Sequence, residues 1–80
     1  MHPTHDDHQL LKSWSFAPSY ATLQRDYPTW KLRKLKRRVR RLLRALHPEL
    51  RAMPPERRSA YVERLKQVHL EKFRAVPHLV

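Results

Sequence analysis

The sequence predicts a small all-α domain with two long antiparallel helices, over about residues 31–46 and 55–76, plus one or two short N-terminal helical turns. Both segments place apolar residues at steps of three and four, which is the period of a helix with one buried face. Prolines separate the two segments and leave a loop of about eight residues, which is short enough to return the chain antiparallel. With 80 residues, the chain has room for a single domain.

The N-terminal segment, residues 1–19, shows no sustained period and is predicted to be an arm or a short docking helix. Asp6 and Asp7 are residues that can cap a helical turn. The apolar residues of that turn lie at helical spacing and would pack onto the body of the domain: Leu10, Leu11 and Trp14. The helical domain itself is predicted to cover residues 20–76, with a tail at 77–80.

A second short helical turn is expected over residues 20–25. After it, Pro28 disfavours helical geometry for the residue that precedes it, and Thr29 is placed to serve as an N-cap. A helix is therefore predicted to start near Trp30.

The first long helix, residues 31–46, has one apolar face and one basic face. Its apolar stripe covers an arc of roughly 100°, which suits a core-facing helix. The stripe consists of Leu32, Leu35, Val39, Leu42, Leu43 and Leu46. The remaining arc carries nine cations and no acid: Lys31, Arg33, Lys34, Lys36, Arg37, Arg38, Arg40, Arg41 and Arg44. Pro48 ends the helix, because it pushes His47 out of helical geometry.

The second long helix begins at Pro54 and Pro55, since proline is tolerated in a first turn, and Glu56 there suits the helix dipole. Pro77 stops it. One broad face carries Tyr61, Val62, Leu65, Val68, His69, Phe73 and Val76. The N-terminal helical turns are expected to cover the third side of the two long helices.

The composition excludes several classes of protein. Without cysteine there is no disulfide, thiolate metal cluster or cysteine nucleophile, and without glycine there is no Walker loop, dinucleotide fingerprint or nucleophile elbow. No set of carboxylates or of Ser, His and Asp has catalytic spacing, so we predict a non-catalytic protein that needs no cofactor. No apolar run is long enough for a membrane span and the N-terminus is unlike a signal peptide, so we expect a cytoplasmic protein.

Positive charge is the main functional signal, since 18 Lys and Arg against 7 Asp and Glu give a net charge of +11. In the basic helix, five like-charged pairs lie four residues apart and together cost about 1 to 2.5 kcal/mol. A polyanion would relieve this repulsion, and arginine, which outnumbers lysine six to three here, binds phosphate through two hydrogen bonds. We therefore predict a protein that binds RNA or DNA and contacts phosphates with these nine cations. Such a protein could be a small basic subunit of a larger nucleoprotein assembly.

Three other interpretations of the basic helix stay open. It can be a solvated face, it can bind an acidic groove on a larger protein, or it can lie on an anionic membrane surface, although an interfacial helix usually carries Trp or Phe on its apolar face. In a protein complex, a few residues such as Trp30 and His47 would dominate the affinity. The leucine stripe also allows a homodimer, because two helices leave apolar surface that a second copy would bury.

Aromatic residues cluster beside the basic helix: Trp14, Phe16, Tyr20, Tyr27 and Trp30. Exposed aromatic rings among cations can stack on unpaired bases. The alternative is that they cover the helices as part of the core, which we favour for Trp14 and Tyr20. For Tyr27 and Trp30 both interpretations remain.

Histidines offer weaker signals. His2, His5 and His8 are spaced by three and could bind a transition metal, but a solvated terminus is the interpretation that we favour, so no metal site is predicted. His69 lies in the apolar face of the second helix, where a hydrogen-bonded core histidine is expected. His47 can hydrogen-bond the last carbonyls of the first helix.

The tripeptide His47-Pro48-Glu49 follows the basic helix, and Leu35, Val39 and Leu42 precede it at steps of four and three. This pattern resembles the second helix of a J-domain and the His-Pro-Asp tripeptide after it. J-domains are the modules through which co-chaperones engage DnaK-type chaperones. Tyr20-Ala-Thr-Leu23 is similar to the short first helix of the family, and Val62, Leu65, Val68 and His69 are similar to its third.

The resemblance covers roughly residues 20–73 and implies a three-helix J-like fold with a DnaK-type chaperone as partner. It departs from the family at Glu49, because the family needs aspartate there to stimulate the ATPase of its partner. The longer side chain displaces the carboxylate, which disfavours a contact at hydrogen-bond distance. The resemblance therefore favours a degenerate J-like adaptor, with His47, Pro48 and Glu49 as candidate contact residues. For the wider alternative of an adaptor or inhibitor that binds an acidic protein surface, Trp30 is a further candidate.

Overall fold

A computed structural model describes residues 5–75, and this part of the chain is helical without a strand. Four α-helices and one 3₁₀ helix follow one another: α1 His5–Phe16, α2 Tyr20–Asp26, α3 Leu32–Leu46, the 3₁₀ helix Pro48–Ala52, and α4 Pro55–Ala75. The predicted all-α class and the two long helices are confirmed. The tail at 77–80, Val76 and His2 lie outside the described residues.

Helix α1 is a helix of 12 residues, longer than the short turn expected there. Its inner face buries Leu10, Leu11 and Trp14 in the core, as their helical spacing predicts. Ser15 is also buried, and its hydroxyl donates to the Leu11 carbonyl at 2.8 Å, which satisfies the polar group inside the helix. The N-terminal segment therefore supplies part of the hydrophobic core.

Helix α2 forms where the second short turn was expected, and Ser19 is its N-cap. The Ser19 hydroxyl accepts a hydrogen bond from the backbone N–H of Thr22 at 3.3 Å, which satisfies one of the donors at the helix start. Leu23 from this helix is fully buried. Helix α2 packs against α3, and its last turn leads into the Pro28 turn.

Helix α3 starts at Leu32 with Lys31 as its N-cap, and Lys31 makes no side-chain capping bond. Thr29 therefore does not cap this helix, contrary to the expectation from sequence. The centre of the predicted stripe is buried, namely Leu35, Val39, Leu42 and Leu43. Leu46 lies in the final turn of α3 and is 37% exposed. The 3₁₀ helix that follows contributes Leu50 to the core at this end instead.

Helix α4 packs most extensively against α1, and α1 also contacts α3. Around the C-terminal end of α3, His47 reaches His69 of α4. From α4, Leu65 is buried and Tyr61 and Val62 are partly buried against the core. Val68 is 53% exposed, so the apolar face predicted for α4 is only partly covered within the described chain. Whether α3 and α4 run antiparallel stays a prediction.

Candidate polyanion-binding surface

Four arginines form a straight row along the solvent side of α3. Arg33, Arg37, Arg40 and Arg44 follow one another at steps of four, three and four, so they share one line on the helix, opposite the buried leucines. All four are exposed. The row is about 16 Å long, from the rise of an α-helix. Burial of the apolar stripe is what directs this line of guanidinium groups outward.

Three further cations border the row. Lys36 and Arg41 flank it on α3, and Arg51 joins it from the 3₁₀ helix. Together with Leu32, the seven cations line an open depression of about 730 Å³. We call Arg33, Lys36, Arg37, Arg40, Arg41, Arg44 and Arg51 the arginine surface. It concentrates positive charge on one side of the protein.

Arg51 was not predicted to belong to this surface. It follows the proline that ends α3, and in sequence it belongs to the loop between the long helices. The structure buries the neighbouring Leu50 against α3, and this contact brings Arg51 to the end of the arginine row. The available signal was an arginine directly after an apolar residue in the loop, because burial of Leu50 fixes the position of Arg51.

Arg38 has a different environment from the rest of the basic helix. Its guanidinium donates to one carboxylate oxygen of Asp7, through Nη2 at 2.8 Å and Nε at 3.2 Å. The Asp7 side chain is only 5% exposed and that of Arg38 is 28% exposed. Arg38 thus has a structural role, because it joins α3 to α1. The sequence alone groups Arg38 with the cations predicted to contact phosphates.

The three lysines of the predicted set, among them Lys36 of the arginine surface, lie just before α3 or beside aromatic rings. Lys31 is exposed just before α3. The Lys34 ammonium lies over the Trp30 ring, 4.9 Å from its centroid, and that of Lys36 lies 5.6 Å from the Tyr20 ring centroid. Contacts of this kind orient a cation without neutralising it, so these lysines still contribute to the positive potential.

Trp30 does not share a site with the other candidate residues for a protein partner. Trp30 precedes α3, whereas His47, Pro48 and Glu49 follow its last residue. The separation along the helix axis is about 24 Å. A single small contact patch on a protein partner would not span both groups.

His47 and Glu49 belong to a hydrogen-bonded group at the end of α3. The Glu49 Oε1 atom lies 3.3 Å from His47 Nδ1 and accepts a hydrogen bond from the Tyr61 hydroxyl at 3.0 Å. On the other side of the ring, His47 Nε2 lies 3.2 Å from His69 Nε2. These contacts connect the 3₁₀ helix and the end of α3 to α4.

Glu49, Tyr61 and His69 have shifted pKa values. The pKa of Glu49 is lowered, chiefly by a hydrogen bond from its own backbone N–H and further by the Tyr61 hydroxyl. The pKa of Tyr61 is raised, because its hydroxyl donates to the Glu49 carboxylate. Burial lowers the pKa of His69, and the nearby His47 and Lys72 lower it further.

Among the residues that the structure describes, no three side chains are grouped to hold a metal ion. His8 is exposed on α1, while His2 and the side chain of His5 lie outside the described residues. None of the helices in the described region is long and apolar enough to cross a membrane. No family model, curated protein or solved structure matches this chain.

Proposed function

We propose that this protein binds nucleic acid by contacting phosphates with the arginine surface. The observation that carries the proposal is the grouping of six arginines and one lysine around one open depression, with the four arginines of the row exposed. Each of these side chains extends from α3 or from the 3₁₀ helix, so the fold fixes the position of its Cα atom. A line of phosphates is the ligand whose charge and shape this row complements.

Arginine suits phosphate better than lysine does, because its planar fork can donate two hydrogen bonds to one phosphate. Arg37 and Arg41 lie one turn apart and repel each other, as do Arg40 and Arg44. Such pairs cost about 0.2 to 0.5 kcal/mol each in the unbound protein. Phosphates placed between them would turn this repulsion into attraction.

Binding would be driven by release of counterions from the nucleic acid. Each phosphate neutralised on duplex DNA contributes about −0.9 to the slope of log affinity against log salt concentration. Five to seven contacts predict a slope of about −4.5 to −6. Because contacts to phosphate fix position but carry no sequence information, we expect little base preference, and both RNA and DNA remain candidates.

Fluorescence anisotropy with labelled random-sequence duplex DNA, single-stranded DNA and RNA, titrated over a range of salt concentrations, tests this proposal. The double variant Arg37→Glu with Arg41→Glu should lower the affinity for all three by at least tenfold at low salt. The matched control is Arg57→Glu with Arg74→Glu, which makes the same change in net charge on exposed positions of α4. An equal loss in both double variants would show that net charge, and not the arginine surface, governs binding.

A protein-interaction module is the second candidate, in which a J-like adaptor or inhibitor binds an acidic protein surface or a DnaK-type chaperone. The exposure of Pro48 and Glu49 next to the ordered His47 favours it. An antiparallel course of α3 and α4 and a J-like fold belong to this proposal. Stimulation of a DnaK-type ATPase by the Glu49→Asp variant, together with absence of nucleic-acid binding by the unmodified chain, would favour this candidate over the first.

A further inference from the structure

Trp30 is held firmly at the start of the arginine surface. Its backbone N–H donates to the Tyr27 carbonyl at 3.0 Å, and its own carbonyl accepts from the Gln24 side-chain amide at 3.0 Å. The Tyr27 ring meets the indole edge-on, with centroids 5.8 Å apart and an interplanar angle of 60°. These contacts fix the position of an aromatic ring that remains partly exposed.

The Trp30 ring lines a second open cleft, of about 280 Å³, together with Lys34, Arg37, Arg38 and Arg41. Arg37 and Arg41 also belong to the arginine surface, so the cleft adjoins it. An aromatic platform therefore lies directly beside the guanidinium groups that would contact phosphates. No other described tryptophan has this exposure, because Trp14 is only 4% exposed.

An aromatic ring next to a row of cations is the arrangement that binds unpaired bases, since a base stacks on the ring while the backbone follows the charges. The bases of a duplex are already stacked on one another and cannot offer a face to the indole. We propose that the preferred ligand is a single-stranded nucleic acid, with one base stacked on Trp30 and the adjacent phosphates bound by Arg37 and Arg41. This inference rests on the proposed function and narrows its ligand class.

Lys34 covers the indole in the unbound protein. An exposed contact between a cation and an aromatic ring is weak, so a base can replace the ammonium group. The displaced ammonium would remain within the same cleft, next to the phosphates on Arg37 and Arg41. Binding thus replaces the contact between the indole and the Lys34 ammonium with a larger contact between the indole and a base. It also adds a charge contact between Lys34 and the phosphates.

Tryptophan fluorescence of the unmodified chain gives a first test that does not depend on a variant. An oligothymidylate of about ten nucleotides should quench the emission, and it should bind more tightly than a duplex of the same length at equal salt. Inorganic polyphosphate, which has charge but no bases, should bind without comparable quenching. Equal affinity for the duplex, or equal quenching by polyphosphate, would overturn the inference.

The second test replaces the ring. Trp30→Leu should weaken oligothymidylate binding by about 5- to 100-fold, whereas Trp30→Phe should keep most of the affinity. Duplex affinity should change little in either variant. Phe16→Leu is the matched control, because Phe16 is 47% exposed in a cleft that lacks arginine. Circular dichroism and thermal melting verify that each variant is folded.

The outcomes separate this inference from the proposed function. One outcome keeps phosphate binding and contradicts base stacking. In it, duplex and single strand bind equally, Trp30→Leu has no effect, and the Arg37→Glu with Arg41→Glu variant binds neither ligand. If the unmodified chain binds neither single strand nor duplex at low salt, both proposals are wrong. Loss of single-strand binding in Trp30→Leu with duplex binding retained supports both.

Discussion

Arg38 on α3 and Asp7 on α1 form an ion pair across 31 residues of sequence, in which the guanidinium donates twice to a single carboxylate oxygen. The carboxylate is almost completely buried, while the guanidinium keeps some contact with solvent. Burial of a carboxylate is costly unless a hydrogen-bonded cation accompanies it. This pair therefore joins α1 to the basic helix by a charged contact, in addition to the apolar packing of α1.

Arg38→Met should destabilise the protein more than any other single loss of a cation from α3. It removes the guanidinium that donates to the buried Asp7 carboxylate, and we expect the free energy of unfolding to fall by about 2 to 4 kcal/mol. Arg37→Met, one residue earlier and exposed, should change it by less than about 0.5 kcal/mol. Urea denaturation of both variants measures the difference. Equal stability of the two would contradict a structural role for Arg38.

Stability should decrease as the pH falls below about 6.5, the ordinary pKa of histidine. The pKa of His69 is lowered in the folded state, so the unfolded chain binds a proton more readily and stability rises with pH through this range. His47, Lys72 and the rings of Trp14 and Phe73 lie beside His69, and none of them carries a negative charge that would favour its protonation.

In the His69→Gln variant, the free energy of unfolding should change less with pH in this range, because the substitution removes the titrating group while retaining a polar side chain. Thermal melting at several pH values between neutral and mildly acidic conditions measures the slope. His8→Gln is the control, since His8 is exposed on α1. An unchanged slope in His69→Gln would assign the pH dependence to another group.

Tyr61→Phe should raise the pKa of the Glu49 carboxyl towards its ordinary value. The Tyr61 hydroxyl donates to Glu49 Oε1 at 3.0 Å and so stabilises the charged carboxylate. The shift should be partial, because the hydrogen bond from the Glu49 backbone is the larger cause and is retained. Carbon-detected NMR titration of the carboxyl measures it, with Tyr27→Phe as the control. A lower Glu49 pKa in the variant would contradict the assigned hydrogen bond.

Leu35→Ala should cost about 2 to 5 kcal/mol of unfolding free energy, because Leu35 is fully buried where α3 faces the core. Val68→Ala should cost less than about 0.5 kcal/mol, since more than half of the Val68 side chain is exposed on α4. Thermal or urea unfolding compares the two. A large cost at Val68 would indicate that a second copy or another partner covers this side of α4.

Much of the local structure follows from the sequence by itself. Apolar residues at steps of three and four predict α3 and α4, and Pro48 predicts the end of α3 at Leu46. The same period places the arginines opposite the buried leucines, so the spacing of residues along the chain is enough to predict the basic face. Helical periodicity is a local property, and it depends only on neighbours within about four residues.

Tertiary structure decided which of those cations serve the fold and which face solvent. The partner of Arg38 is Asp7, which lies on another helix, and no local pattern identifies such a pair. Packing of Leu50 against α3 brought Arg51 to the arginine surface, and the turn before α3 placed Trp30 beside Arg37 and Arg41. The ion pair of Arg38 depends on residues far apart in the chain, whereas Arg51 and Trp30 reach the surface through turns at the two ends of α3; both kinds of placement require burial or charge pairing between separate elements, which helical periodicity does not describe.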